Sequence, residues 1–110
     1  MGFYSDAKKW GDKLDVKIYP LVAPADASTF FCVYANTDTQ YGYCNFGVTS
    51  VSKQYTFTIA AIRYSDVHNA AEKFYNTFYN QPNYRFENCT ERYEDGYYIK
   101  EFIFIYKETN

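Results

Sequence analysis

The chain has one histidine, His68, three cysteines and no run of basic residues, and each scarcity removes a class of chemistry. A His/Cys metal site would need Cys32, Cys44 and Cys89 all to converge on His68, a spacing that no zinc knuckle has. An odd number of widely separated thiols also fits no disulfide framework. The densest basic pair, Lys8 and Lys9, is flanked by Asp6 and Asp12, and the formal net charge is -2. Both features count against a nucleic-acid binder that depends on phosphate neutralisation. No apolar run approaches the roughly 20 residues of a membrane helix, and the N-terminus lacks the apolar core of a signal peptide. The expectation is a protein without membrane contact that folds and stays in a cytoplasm.

Catalytic constellations are equally scarce. No serine or cysteine stands at a spacing that ties it to His68 as nucleophile to base, so a surface or capping role is expected there. Glu91, Glu94 and Asp95 surround a turn, where solvation explains them better than paired-carboxylate chemistry. Gly42 and Gly47 lack the strand-to-helix context and the lysine of a phosphate loop and read as turn glycines. Asn88-Cys89-Thr90 matches a glycosylation sequon, which has no consequence without secretion. Cys32, inside Phe30-Phe31-Cys32-Val33-Tyr34, reads as a small buried hydrophobe. The expectation is a protein that is not an enzyme and takes neither cofactor nor metal.

What the chain has is aromatic. Fourteen tyrosines and ten phenylalanines supply much of an apolar fraction of 47%, while the mean hydropathy is -0.50. Tyrosine fills a core and keeps its hydroxyl at the solvent edge, so this hydropathy does not argue for disorder. A domain of 110 residues buries roughly 65% of its unfolded surface, enough for one core over 1–110. Tyrosines left outside suit protein contacts, because a rigid ring gives area at little entropic cost.

The hydrophobic period changes from two to about 3.6 within residues 55–79. Tyr55, Phe57, Ile59 and Ala61 alternate with Thr56, Thr58, Ala60 and Ile62 on the two faces of a strand. Val67, Ala70, Ala71, Phe74 and Phe78 then recur at helical spacing. Ser65 is the expected N-cap, with Asp66 at the positive end of the helix dipole. Earlier, 5–14 reads as a short helix with Ser5 as cap and Ala7, Trp10 and Leu14 inward, weakened by Gly11. Residues 16–19 are briefly extended up to Pro20, 21–28 form a loop, 30–35 a strand, and 36–45 a polar, turn-rich segment. Strand 51–62 and the helix to about Tyr79 follow. Strands 84–93 and 97–106 join at Glu94-Asp95-Gly96, a strong hairpin signal.

In the last strand Tyr98, Phe102, Phe104 and Tyr106 share one face and Ile99, Ile103 and Ile105 the other, as in a strand that is central or covered by another chain. The fold class expected is α+β: an antiparallel sheet of about four strands with the long helix packed on one face and a short N-terminal helix.

Ile18-Tyr19-Pro20-Leu21-Val22-Ala23-Pro24, the strand 30–34, the joint from Tyr55-Thr56-Phe57 into Ser65-Asp66-Val67 with Ala70-Ala71, and the final aromatic strand occur in an order that resembles the tail-completion family of tailed bacteriophages. That family includes tail terminators and tail-to-head joining proteins. The resemblance covers residues 15–107; the N-terminal helix is shorter than the family's, and 36–52 is unusually rich in Tyr and Gly. It implies a structural virion subunit that forms a homo-oligomeric ring, a hexamer, at the head-proximal end of the tail. Such a ring ends growth of the tail-tube protein and docks the head-tail connector or stopper protein, and DNA passes through its lumen without specific binding. The implied location is the virion, after assembly in the bacterial cytoplasm.

A weakly acidic chain without basic patches is compatible with a conduit that does not hold phosphates. The expected interface residues are Tyr41, Tyr43 and Phe46 in the turn-rich segment and Tyr98 and Phe102 on the last strand. The rival class is a small phage-encoded inhibitor that binds a host defence enzyme by imitating nucleic-acid charge. A net charge of -2 is small for such mimicry.

Overall fold

The computed structural model describes residues 3–27, 29–44 and 47–109. The elements run α1 (Phe3–Leu14), β1 (Lys17–Pro20), β2 (Phe30–Cys44), β3 (Gly47–Ala61), α2 (Tyr64–Phe78), β4 (Tyr84–Glu94) and β5 (Tyr97–Thr109). Both helices lie on one face of a single sheet of order β1-β2-β3-β5-β4. The class is α+β, as expected. The sheet is one strand wider than expected and mixed, because β1 joins β2 in parallel, with Ile18 opposite Cys32. The remaining pairs are antiparallel.

Alternation along the strands decides which face the helices cover. Tyr55, Phe57 and Ile59 of β3 and Phe102, Phe104 and Tyr106 of β5 are buried beneath the α2 residues Val67, Ala70, Ala71, Phe74 and Phe78. Phe57 and Phe74 stack at 4.2 Å with their planes 6° apart, joining strand to helix at the middle of the core. Each such ring contributes about 1.5–3 kcal/mol through burial. Ile99, Ile103 and Ile105 fall on the opposite, helix-free face and are only partly buried. Strand β5 is paired on both sides, and its two apolar faces meet helices on one side and none on the other.

Helix α1 begins two residues earlier than the capping pattern suggests. Phe3 thereby enters the core, where its ring lies 4.9 Å from Tyr55, 4.9 Å from Phe104 and 5.8 Å from Phe57. Ser5 lies inside the helix and not at its cap. Gly11 has a purpose that helix propensity conceals: a Cβ there would stand 2.9 Å from both the Ile18 side chain and the Val16 carbonyl. The glycine lets α1 press against the chain that turns back into β1.

Ser65 is likewise not the cap of α2. Arg63 holds that position in an extended conformation without a side-chain cap bond, and its carbonyl accepts from the amides of Asp66 and Val67. Tyr64 is thereby drawn into the first turn, where its ring stacks on His68 at 5.8 Å and meets Tyr98 edge-on at 5.5 Å. Those contacts give a physical reason for the earlier start. The Asp95-Gly96 turn forms as expected, with positive φ at both residues, 53° and 84°.

Candidate interaction surfaces

The polar segment 36–45, expected as a turn-rich loop, is mostly strand. β2 continues to Cys44 and pairs with β3 back to Gly47, so the two form one long hairpin. Its polar residues still fit, because this length of hairpin has no helix above it. Among the residues of β3 whose burial is described, the last buried one toward the hairpin end is Tyr55. Eight strand steps lead from it to Gly47, about 26 Å at strand rise. The molecule accordingly measures 52 × 27 × 23 Å. Strand β5 supports this arm only as far as Ser50, opposite Thr109.

The five expected interface residues separate into different environments. Tyr41 lies on the arm opposite Val51 and is 54% exposed. Tyr43 pairs in register with Val48, and Phe46 lies outside the described residues. Tyr98 is exposed beside Tyr93, with rings 4.7 Å apart. Phe102 is the correction: at 4% exposure it is a core residue, 5.2 Å from Phe74. The face of β5 expected to make contacts is the one that the apolar stripe of α2 requires, so most of it is covered.

The open edges, β4 and the part of β2 beyond Tyr34 where β1 has ended, carry matching devices. In β2 the register shifts between Asn36 and Asp38, and in β4 between Phe86 and Asn88. After each bulge the side-chain oxygen of Asp38 or Asn88 accepts from the next amide, Thr39 at 2.9 Å and Cys89 at 2.8 Å. Bulges, with amides satisfied locally, blunt an edge against further strand pairing. Charged residues along β4 act in the same direction, with Arg85 and Glu87 3.3 Å apart and Arg92 and Glu94 3.0 Å apart.

A third surface was not legible in the sequence. Between α2 and the β4–β5 hairpin lies an open groove of about 560 Å³, with Tyr75, Phe86 and Phe102 among its aromatic lining. The Glu87 bulge and Cys89 form part of one wall, and Ala71 and Glu72 part of the other. Toward the start of α2 the aromatics continue through His68, Tyr64, Tyr98 and Tyr93. A hydrogen bond to Glu91 raises the Tyr64 hydroxyl above its ordinary pKa. His68 Nε2 lies 3.2 Å from Glu72, while its Nδ1 is buried without a partner. In the loop before β2, Leu21 takes a left-handed φ of 65° and stands in water beside Val22.

The ionisable groups divide by burial. Desolvation pushes the Cys32 thiol far above its ordinary value, which makes it unreactive. Burial also raises Cys89, with Glu91 adding to the shift and Lys100 opposing it. The Tyr84 hydroxyl is raised strongly, first by desolvation and then by the hydrogen bond it donates to Asp6 at 2.7 Å. That bond ties α1 to the start of β4. Among the described residues no group of three or more His, Cys, Asp or Glu side chains is placed to hold a metal ion, and no helix is long and apolar enough to cross a membrane. The chain matches no protein-family model and no curated protein.

Proposed function

We propose that the protein is a structural subunit of a tailed-phage virion that assembles into a homo-oligomeric ring, a hexamer, at the head-proximal end of the tail. One observation supports this most: a hairpin arm extends about 26 Å beyond the core that its own helices cover. An arm of that length presents two faces to other molecules and can reach a neighbouring copy. A heterologous, head-to-tail contact of this kind generates a ring wherever its rotation closes. The blunted open edges favour contacts through the arm over edge-to-edge strand addition, which would propagate without limit.

In this reading Tyr41 and Tyr43 of the arm, together with Phe46 of the sequence between its strands, meet the adjacent subunit or the next ring. The tail-tube protein and the head-tail connector or stopper dock on opposite ends. A formal charge of -2 leaves the lumen without strong phosphate contacts, so DNA passes without being held.

Sedimentation velocity and electron microscopy test the assembly. The wild-type chain is expected to form closed rings at high concentration or on tail tubes. Joint replacement of Tyr41, Tyr43 and Phe46 by serine should leave a folded monomer, and in an infecting phage should give tails of uncontrolled length or tails without heads. Normal tails joined to full heads with the triple variant would remove the arm from the mechanism. A wild-type chain that stays monomeric at every concentration and never binds tubes would refute the ring itself.

A further inference from the structure

We infer that the corner between α2 and the β4–β5 hairpin is a docking groove for a basic amphipathic helix of another protein. This inference is independent of the ring reading and concerns a different surface.

The argument begins with coverage. Helix α2 packs over β3 and β5, and α1 crosses the same face from β1, where Gly11 meets Ile18, to the start of β4, where Phe3 and Asp6 meet Tyr84. Helices are about 10 Å across and strands about 4.8 Å apart, so two helices cannot cover the full length of all five strands, and the outermost one is left bare beyond Phe86. That strand is β4, exposed from Glu87 to Glu94. The flank of α2 that faces it carries Tyr64, Tyr75 and Tyr79, all exposed. On the strands, Tyr93 and Tyr98 are exposed in turn. Half of the exposed large apolar side chains among the described residues therefore line one concave corner, which also holds the 560 Å³ groove.

Length and charge identify the occupant. The corner follows α2, whose 15 residues span about 22 Å, room for a helix of four turns. Glu72 and Glu87 line the groove and Glu91 stands beside Tyr64 and Cys89, against the ammonium of Lys100 and the His68 imidazole 3.2 Å from Glu72. Arg85 reaches Glu87 from β4 and lowers this excess without removing it. Carboxylates beside exposed tyrosine faces attract cations through both charge and ring quadrupole. An apolar helix face flanked by Lys or Arg fits this lining, as in other helix-in-groove complexes. A second copy is a poor occupant. Its one lysine-rich helix, α1, has already committed its apolar side, Phe3, Ala7 and Trp10, to its own core.

The test uses a four-turn synthetic peptide of leucine and lysine, and its counterpart with glutamate in place of lysine, titrated into isotope-labelled protein and followed by amide NMR. The Leu/Lys peptide should shift Ala71, Tyr75, Cys89 and Lys100 saturably, and the Leu/Glu peptide should not. Joint Glu72→Lys and Glu91→Lys, both on the rim, should keep the spectrum of the core and weaken Leu/Lys binding by roughly tenfold or more. Equal binding of both peptides, unchanged affinity after charge reversal, or shifts confined to Thr56 and Ile103 on the helix-free face would overturn the inference. So would corner shifts that grow with protein concentration alone, because the occupant would then be a second copy.

Discussion

Strands β2 and β3 run through two regions that share backbone pairing and differ in almost everything else. At residues 30–35 and 55–61 they lie beneath two helices, and at 36–44 and 47–54 they extend past them. In the covered region the alternate residues Tyr55, Phe57 and Ile59 are closed off by Phe3, Trp10 and Phe74. In the arm the same row continues through Lys53 and Val51, opposite Thr39 and Tyr41, with no helix above it, and side-chain bonds such as Asn36 to Thr39 at 3.0 Å replace ring packing. Ladder hydrogen bonds alone contribute little net stability. The covered region therefore holds itself together, and the arm relies on that region and on whatever it meets.

The largest expected effects sharpen this contrast. Phe74→Ala should destabilise the fold by about 3–5 kcal/mol by emptying a site among Phe57, Phe78 and Phe102. Tyr41→Ser, on the arm, should change monomer stability by no more than about 0.5 kcal/mol. Denaturant midpoints measure both, and a similar cost at the two sites would break the comparison.

Gly11→Ala comes next. Helix propensity alone would make it stabilising by about 1 kcal/mol. The 2.9 Å approach to the Val16 carbonyl instead predicts a net loss, of about 1–3 kcal/mol. Stabilisation in a thermal melt would mean that α1 does not press on β1 as described.

Tyr84→Phe should cost about 1.5–3 kcal/mol, because it removes a hydrogen bond to the Asp6 carboxylate. The same hydroxyl gives the protein a pH dependence. Its pKa is raised in the folded state, so above the ordinary value of 10 the unfolded chain loses the proton while the folded chain keeps it. Stability should therefore hold below about pH 10 and fall as pH rises beyond it, more steeply in wild type than in Tyr84→Phe. Urea titrations of both proteins on either side of pH 10 read this out.

The smallest effects concern the cap of α2. Arg63→Asp should stabilise by about 1 kcal/mol, since it supplies the missing side-chain acceptor. Ser65→Ala, inside the first turn, should stay within about 0.5 kcal/mol. The reverse ranking would restore Ser65 as the cap.

The covered region was legible in the sequence because burial imposes a period, from which the inward residues of β3 and α2 followed; the Asp95-Gly96 turn was legible from its own turn chemistry. Phe3 was missed because a serine two residues later offered a more familiar helix start. Ser65 misled in the same way, for ring contacts of Tyr64 outweighed the capping preference. Residues 36–45 were read as a turn-rich segment because Asn36, Asp38, Gln40 and Gly42 break any apolar alternation, and pairing without burial leaves no period to detect. Phe102 was read as a contact surface because alternation shows that a strand has two faces without showing which one a helix will cover. The groove brings together residues from 64 to 102 that no linear spacing connects.

Hydrogen exchange measured by mass spectrometry across a range of protein concentrations tests the central claim most directly. The account predicts that in dilute protein the amides of 36–44 and 47–54 exchange far faster than those of 55–61 and 98–106. It predicts that the arm then gains protection as concentration rises and rings form. An arm as protected as the covered region in the monomer, or one whose exchange ignores assembly, would contradict it.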